Sequence, residues 1–287
     1  MSERKKVTLR TLFKKVEEGT PITMLTCYDY PTAYFQEQAG VDIILVGDSL
    51  GMTMLGYDTT LPVTMDDMIR HAQAVRRGSP SAFLVGDMPY MSYQPSVETA
   101  IRSAGRFMAE AGCDAIKLEG GREMIDRIRG IAAAGIPVMG HLGLTPQSVS
   151  ALGGFRVQGR GAAQAERILE DAKILEEAGV FAILFEMIPD RLSKLITERM
   201  ETCFNISLGS GPHAHGQLLI YHDMFGLYPK FKPKMAKVFA DAGSLILSGL
   251  KQYVQEVQEK AFPQPENWFG MSDEEYEALL GMLDAET

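Results

Sequence analysis

The sequence predicts an α/β fold, a (β/α)8 TIM barrel in one domain over residues 1–287, with an N-terminal helix and extra C-terminal helices. Three observations predict it. Short apolar runs alternate with helical stretches eight times, the arithmetic of eight parallel strands in about 250 residues. The runs are apolar at successive positions, as in Ile43-Ile44-Leu45-Val46, which suits strands buried on both faces of a parallel sheet. Ala39-Gly40, Ala111-Gly112, Ala134-Gly135 and Ala178-Gly179 each close a helix just before a strand, the place where Gly ends helices. A doubly wound open sheet is the competing fold, but it carries a Gly-rich phosphate turn after its first strand. Cys27-Tyr28-Asp29 is not such a turn.

The elements follow in order. Thr8 caps a helix from Leu9 to Glu18, stopped by Gly19. Pro21 to Cys27 is the first strand, and a short helix after Pro31 ends at Ala39. The second strand, from Ile43, leads into a loop over 51–63, whose Gly51, Gly56, Asp58 and Pro62 suit an ordered cover over a site. Thr64 caps a helix to about Arg77, with Asp66 and Asp67 in its first turn where the helix dipole favours acids. The strand from Ala82 to Asp87 precedes a helix capped by Ser96. The strand from Asp114 to Glu119 is followed by a helix from about Arg122. A strand from Pro137 to His141 opens a long loop, Leu142 to Gly161. Ala162 to Ala178 is amphipathic and helical. Phe181 to Glu186 is a strand, Pro189 starts the next helix, and Cys203 to Leu208 is a strand. Leu218 to Asp223 is the last strand, with helices expected over 230–242 and 244–261. Ser272-Asp273-Glu274-Glu275 reads as a capping box opening a final helix to Leu283, within a tail over 265–287.

Charge and composition exclude several classes. A net charge of −9 disfavours nucleic acid, whose phosphates need clustered Lys and Arg. No run approaches the roughly 18 apolar residues of a membrane span. The charged start, Met1 to Lys6, has no apolar segment after it, and Cys27, Cys113 and Cys203 are widely spaced without CxxC pairing. Reduced buried thiols and a cytoplasmic location follow as expectations.

In a barrel the chemistry collects at the C-terminal strand ends. Asp29, Asp48 with Ser49, Asp87, Lys117 with Glu119, His141, Glu186, Ser207 or Ser210, and His222 with Asp223 stand there. Asp48, Asp87 and Glu119 are hard oxygen ligands suited to Mg2+, and three carboxylates crowded together repel unless a cation neutralises them. Two residues apart on one strand, Lys117 and Glu119 face the same side. Lys117 reads as a substrate-binding cation or as half of a structural ion pair, and Glu186 as a general base or as a helix cap. His213 and His215 form an HxH pair, read as loop-packing histidines rather than a zinc site. No Ser/His/Asp or Cys/His nucleophile arrangement is visible.

These stretches resemble the ketopantoate hydroxymethyltransferase family over about residues 7–265. The resemblance rests on Cys27-Tyr28-Asp29-Tyr30-Pro31, Val46 to Pro62 (VGDSLGMTMLGYDTTLP), Ala115 to Gly121 (AIKLEGG), Gly140 to Gln147 (GHLGLTPQ), Gly153 to Gly159 (GGFRVQG), Gly216-Gln217 and His222-Asp223. It implies a (β/α)8 barrel, a decamer of two pentameric rings, and Mg2+. It implies transfer of a hydroxymethyl group from 5,10-methylenetetrahydrofolate to 2-oxoisovalerate (3-methyl-2-oxobutanoate), giving ketopantoate for pantothenate synthesis. On matching positions it implies that Asp48 and Asp87 bind the metal with Glu119 close by. Ser49 and Lys117 then hold the oxo acid alongside Asp48 and Asp87, His141 lies near the reacting oxygen, and Glu186 is the base. Two departures stand out. Ser207 puts a side chain where the family strand has glycine, and His215 replaces an acid. Both are expected near the barrel mouth, where they would bear on folate binding. The tail from Trp268 to Thr287 runs past the family's usual end and is expected to be a helix on a neighbouring subunit or loosely held. Competing readings are a Mg2+-dependent lyase or aldolase of the phosphoenolpyruvate mutase and isocitrate lyase type, which relies on a reactive loop Cys with no candidate here, and a non-catalytic barrel.

Overall fold

The computed structural model describes residues 4–285. Its eight strands are β1 Ile22–Thr26, β2 Ile43–Val46, β3 Phe83–Asp87, β4 Ala115–Glu119, β5 Val138–Gly143, β6 Ala182–Glu186, β7 Phe204–Leu208 and β8 Gly216–Leu219. Each pairs in parallel with the next, and β8 pairs with β1 to close a barrel. The helices, in chain order, are α1 Leu9–Glu17, α2 Tyr30–Ala39, α3 Leu50–Thr53, α4 Met65–Gly78, α5 Val97–Ala111 and α6 Ile125–Ala133. They continue as α7 Val149–Leu152, α8 Ala162–Glu177, α9 Asp190–Thr197, α10 Tyr221–Met224, α11 Ala242–Gln258 and α12 Asp273–Asp284.

Alternation along each strand builds two cores. Ile43, Leu45, Phe83, Val85, Leu184 and Ile206 point into the barrel. Their neighbours Ile44, Val46, Leu84, Ile116 and Ile183 point out against the helices. α1 plugs the N-terminal end: Leu12 is fully buried and the Phe13 ring meets Phe204 edge-on at 5.4 Å. The Ala-Gly punctuation holds, since Gly40, Gly112, Gly135 and Gly179 all take positive φ. Only there can the chain reverse out of a helix without a Cβ clash. Gly86 has a different role: a Cβ on it would lie 2.3 Å from the Phe107 ring, so its absence seats α5 on β3.

The last third departs from expectation. No helix follows β7. Residues 209–215 alone carry the chain back, and β8 starts at Gly216, opposite Ile22. The ladder ends at Leu219, because the Thr26 hydroxyl takes the Tyr221 N–H at 3.0 Å. His222 and Asp223 therefore sit on α10, not on a strand. Residues 230–241 form no helix: Pro229 and Pro233 each lack an N–H and disfavour helical backbone before them. The segment crosses the barrel mouth as an irregular strap, tied by Lys230 to Asp58 at 2.8 Å, with Met235 against the barrel interior. α11 and α12 have no buried residue. Ser272 caps α12 by accepting from the Glu275 N–H.

Candidate active site

The inward series of β3, β4, β5 and β6 begins apolar and ends polar. Val85 leads to Asp87, Ala115 to Lys117 and Glu119, Met139 to His141, and Leu184 to Glu186. The parity that points an apolar side chain into the barrel points these groups to its mouth. Asp48 and Ser49 follow β2 directly. Ser49 is half-buried, and the others are buried at the floor of a cavity of about 1120 Å3.

The floor is one connected network. Lys117 Nζ lies 2.7 Å from Asp87 Oδ1, and Asp87 Oδ2 accepts the Asp48 N–H at 3.1 Å. Gly47 lets this turn close, since a Cβ there would stand 2.8 Å from Ser49 Oγ. On its other side Lys117 Nζ is 3.4 Å from His141 Nδ1, and His141 Nε2 is 3.2 Å from Glu186 Oε2. An ammonium can only donate. A neutral His141 therefore accepts at Nδ1 and carries its proton on Nε2, facing Glu186. Burial, reinforced by the Lys117 charge, lowers the His141 pKa and keeps the ring neutral. The Ser49 hydroxyl is 2.8 Å from that of Tyr28.

Two residues not singled out from the sequence complete the floor. Gln147 donates from Nε2 to Asp48 Oδ2 at 2.9 Å and from its backbone N–H to Glu119 Oε2 at 3.0 Å. Tyr93 donates its hydroxyl to Gln147 Oε1 at 2.8 Å. Gln147 ends one of the resembling stretches, but its function depends on a fold that brings the β5 loop over β2. Tyr93, in the β3–α5 loop, carries no spacing signal at all.

Charge is unbalanced here. Asp48, Asp87 and Glu119 surround a single ammonium, Lys117. Burial works against that charge, but Asp87, Glu119 and Asp48 outweigh it and hold the Lys117 pKa above its usual value. Burial, with Asp87 and Glu119 as neighbours, pushes the Asp48 carboxyl well up. Burial likewise pushes Glu119 up to about 8, and Glu119 Oε1 has no hydrogen-bond partner. Glu186 is raised by burial, opposed mainly by His141. Among the described residues no three His, Cys, Asp or Glu side chains form a ready-made metal cage.

The other polar strand ends resolve differently. Asp29 caps α2 by accepting from the Thr32 N–H at 2.8 Å. Ser207 lies on the outward parity of β7 and accepts the Ser210 N–H, so it closes a turn rather than facing the mouth. His215 is not at the mouth either. It immediately precedes β8, its carbonyl accepts from Ile22 at the start of β1, and its Nδ1 is 3.1 Å from Asn205 Oδ1. It is therefore a packing group at the opposite end of the barrel, because the return from β7 is short. Asp223 lines the cavity, and burial raises it to about 6. Glu186 does not cap α9, whose N-cap position is Pro189.

The model of the ketopantoate hydroxymethyltransferase family matches residues 6–265. The chain is 50% identical over 274 residues to a 3-methyl-2-oxobutanoate hydroxymethyltransferase of Carboxydothermus hydrogenoformans, covering 96% of this chain and 99% of the relative. It is 50% identical over 252 residues to the enzyme of the same name from Thermus thermophilus, covering 88% and 96%. Among solved structures it resembles phosphonopyruvate hydrolase in complex with oxalate and Mg++, with a TM-score of 0.60, 14% identity and 97% of each chain covered. It also resembles 2,3-dimethylmalate lyase of the PEP mutase/isocitrate lyase superfamily, with a TM-score of 0.59, 14% identity and 97% and 96% covered. At that identity the likeness shows the fold alone.

Proposed function

From the premise that the chain belongs to the ketopantoate hydroxymethyltransferase family, we propose how its barrel mouth works. The protein is a hydroxymethyltransferase that forms ketopantoate from 3-methyl-2-oxobutanoate in pantothenate biosynthesis. 5,10-Methylenetetrahydrofolate is the one-carbon donor and Mg2+ the metal in this reading.

The single observation that carries the mechanism is the chain Asp87–Lys117–His141–Glu186, which joins a carboxylate-rich end to a lone buried carboxylate. The donor set fits a hard divalent cation. Such an ion binds through one or two carboxylates and completes its shell with water and substrate. Asp48 and Asp87 would hold it, with Glu119 and its unpaired oxygen close by. When bound, the cation supplies the positive charge against which negative charge on the oxo acid can develop. Ser49 and Lys117 bind and orient the oxo acid at the same end. Glu186 removes the C3 proton of the substrate. Burial raises its proton affinity toward the working pH, which a general base needs. His141 stands beside the Glu186 carboxylate, with Nε2 3.2 Å from Oε2. Water adds to the methylene carbon of the folate and breaks its two C–N bonds, leaving tetrahydrofolate and formaldehyde; the carbanionic C3 then attacks the formaldehyde carbon, and the alkoxide formed takes up a proton to give the hydroxymethyl group. Gly143 helps to place the base: a Cβ there would lie 2.2 Å from the Glu186 carbonyl oxygen, which the Leu144 N–H holds at 2.8 Å.

Incubation with 3-methyl-2-oxobutanoate and methylenetetrahydrofolate, with and without Mg2+, tests the reading. Metal-dependent ketopantoate is the expected result, and no product at high enzyme concentration would overturn it. Exchange of the C3 proton into deuterated water, without folate, reports enolisation alone.

The subunit is read as part of a homo-oligomer, a decamer, in the cytoplasm. Supporting this, β1 and β8 are the strands whose outward residues Thr23 and Gln217 are exposed, while α11 presents Ile246, Leu250, Tyr253, Val254 and Val257 to solvent. Light scattering should give the mass of ten chains, and a monomer would remove this part of the reading. All three thiols are free and buried, as a reducing compartment allows. No helix among the described residues is long and apolar enough to cross a membrane.

A further inference from the structure

The strap over the mouth has a composition unlike the rest of this acidic chain. Between Asp223 and Asp241 there is no Asp or Glu, yet Lys230, Lys232, Lys234 and Lys237 fall within eight residues. Lys230 is occupied by Asp58. Among the described residues no carboxylate pairs with Lys232, Lys234 or Lys237, and all three line the outer part of the cavity whose floor holds Glu186. Lys237 Nζ stands 4.8 Å above the Phe239 ring. The same rim exposes large aromatic rings: Phe155 from the β5–α8 loop and Phe231 from the strap are about half exposed and also line the cavity.

A small oxo acid needs neither feature, because its two charged and polar ends are met at the floor. Three unpaired ammonium groups beside exposed rings suit a ligand with a flat aromatic body and several carboxylates beyond it. In a chain of net charge −9, such a ligand would otherwise be repelled.

We propose that the strap is the docking site for the γ-linked glutamyl tail of the folate co-substrate, with Lys232, Lys234 and Lys237 meeting its carboxylates. The proposal rests on the folate-dependent reading above. A tail of several glutamates engages more of these lysines than a single glutamate does. The rim thus selects the polyglutamylated form of the donor without touching the reacting carbon.

The test compares KM for methylenetetrahydrofolate carrying one and five glutamates, in the natural protein and in the triple variant Lys232→Gln, Lys234→Gln, Lys237→Gln. Each protein serves as its own reference through the ratio of the two KM values. For the natural protein the pentaglutamate should bind roughly tenfold or more tightly, an advantage eroded by salt because exposed charges are screened. In the variant the ratio should fall toward one. A ratio near one in the natural protein, or an undiminished ratio in the variant, would overturn the proposal. Failure of both donors to yield ketopantoate, with C3 exchange intact, would instead overturn the folate reading beneath it.

Discussion

Lys117 and Lys232 line the same cavity under opposite conditions. Lys117 is 2% exposed, 2.7 Å from Asp87 and within reach of His141. Lys232 is exposed and unpaired among the described residues. The floor around Lys117 is buried and interlocked, so each group sets the protonation and position of the next. At the rim water screens each charge, so its groups act nearly independently. Chemistry that moves a proton needs the first environment. Capture of a long, variable ligand tolerates the second.

That contrast breaks first if the floor is not a single unit. Glu186→Gln should lower C3 exchange by about 1000-fold or more, because a positioned general base is worth up to about 10⁴-fold. Far-UV circular dichroism should stay unchanged, and exchange that survives would exclude Glu186 as the base. Next, Lys117→Met leaves Asp87 buried without its partner. Removing one half of a buried pair costs about 3–5 kcal/mol, readable as a lower urea midpoint, and a midpoint shift under a third of that would mean the pair is not interlocked. Gln147→Leu strips a donor from Asp48 and an acceptor from Tyr93. A loss of about 2 kcal/mol is expected, with roughly tenfold weaker Mn2+ binding by calorimetry, since partners of metal-binding carboxylates matter on that scale. Unchanged Mn2+ affinity would show that Gln147 does not orient Asp48.

At the rim, Lys230→Ala should leave the urea midpoint within error although it removes the bond to Asp58, because both groups are solvated. The smallest effect concerns the core thiols. Burial pushes Cys27, Cys113 and Cys203 up to about 12. The reactive thiolate is thus scarce at pH 8, where a disulfide reagent should label none in the native state and all three in denaturant.

Where local pattern determines structure, the sequence was legible. The first seven strand runs, the caps at Thr8, Thr64 and Ser96, and the Ala-Gly stops stand as read. So does the floor, because Asp87, Lys117, Glu119 and Glu186 continue the inward parity of apolar strands. What escaped depends on contacts between distant segments. Tyr93 and Gln147 meet only after β3 and β5 are placed. His215 read as a mouth residue because it lies in the loop before a last strand placed at Leu218, but the return takes only seven residues and β8 begins at Gly216. The strap read as a helix over 230–242, but Pro229 and Pro233 interrupt that pattern.

The bare outer faces of β1 and β8 carry a consequence for heat. Thr23 and Gln217 are exposed on those faces, and α11 has no buried residue. If the proposed association covers these faces, it stabilises the folded chain by mass action. The unfolding temperature should then climb with protein concentration, so thermal tolerance becomes a matter of how much enzyme is present, and dilution alone should shorten its life.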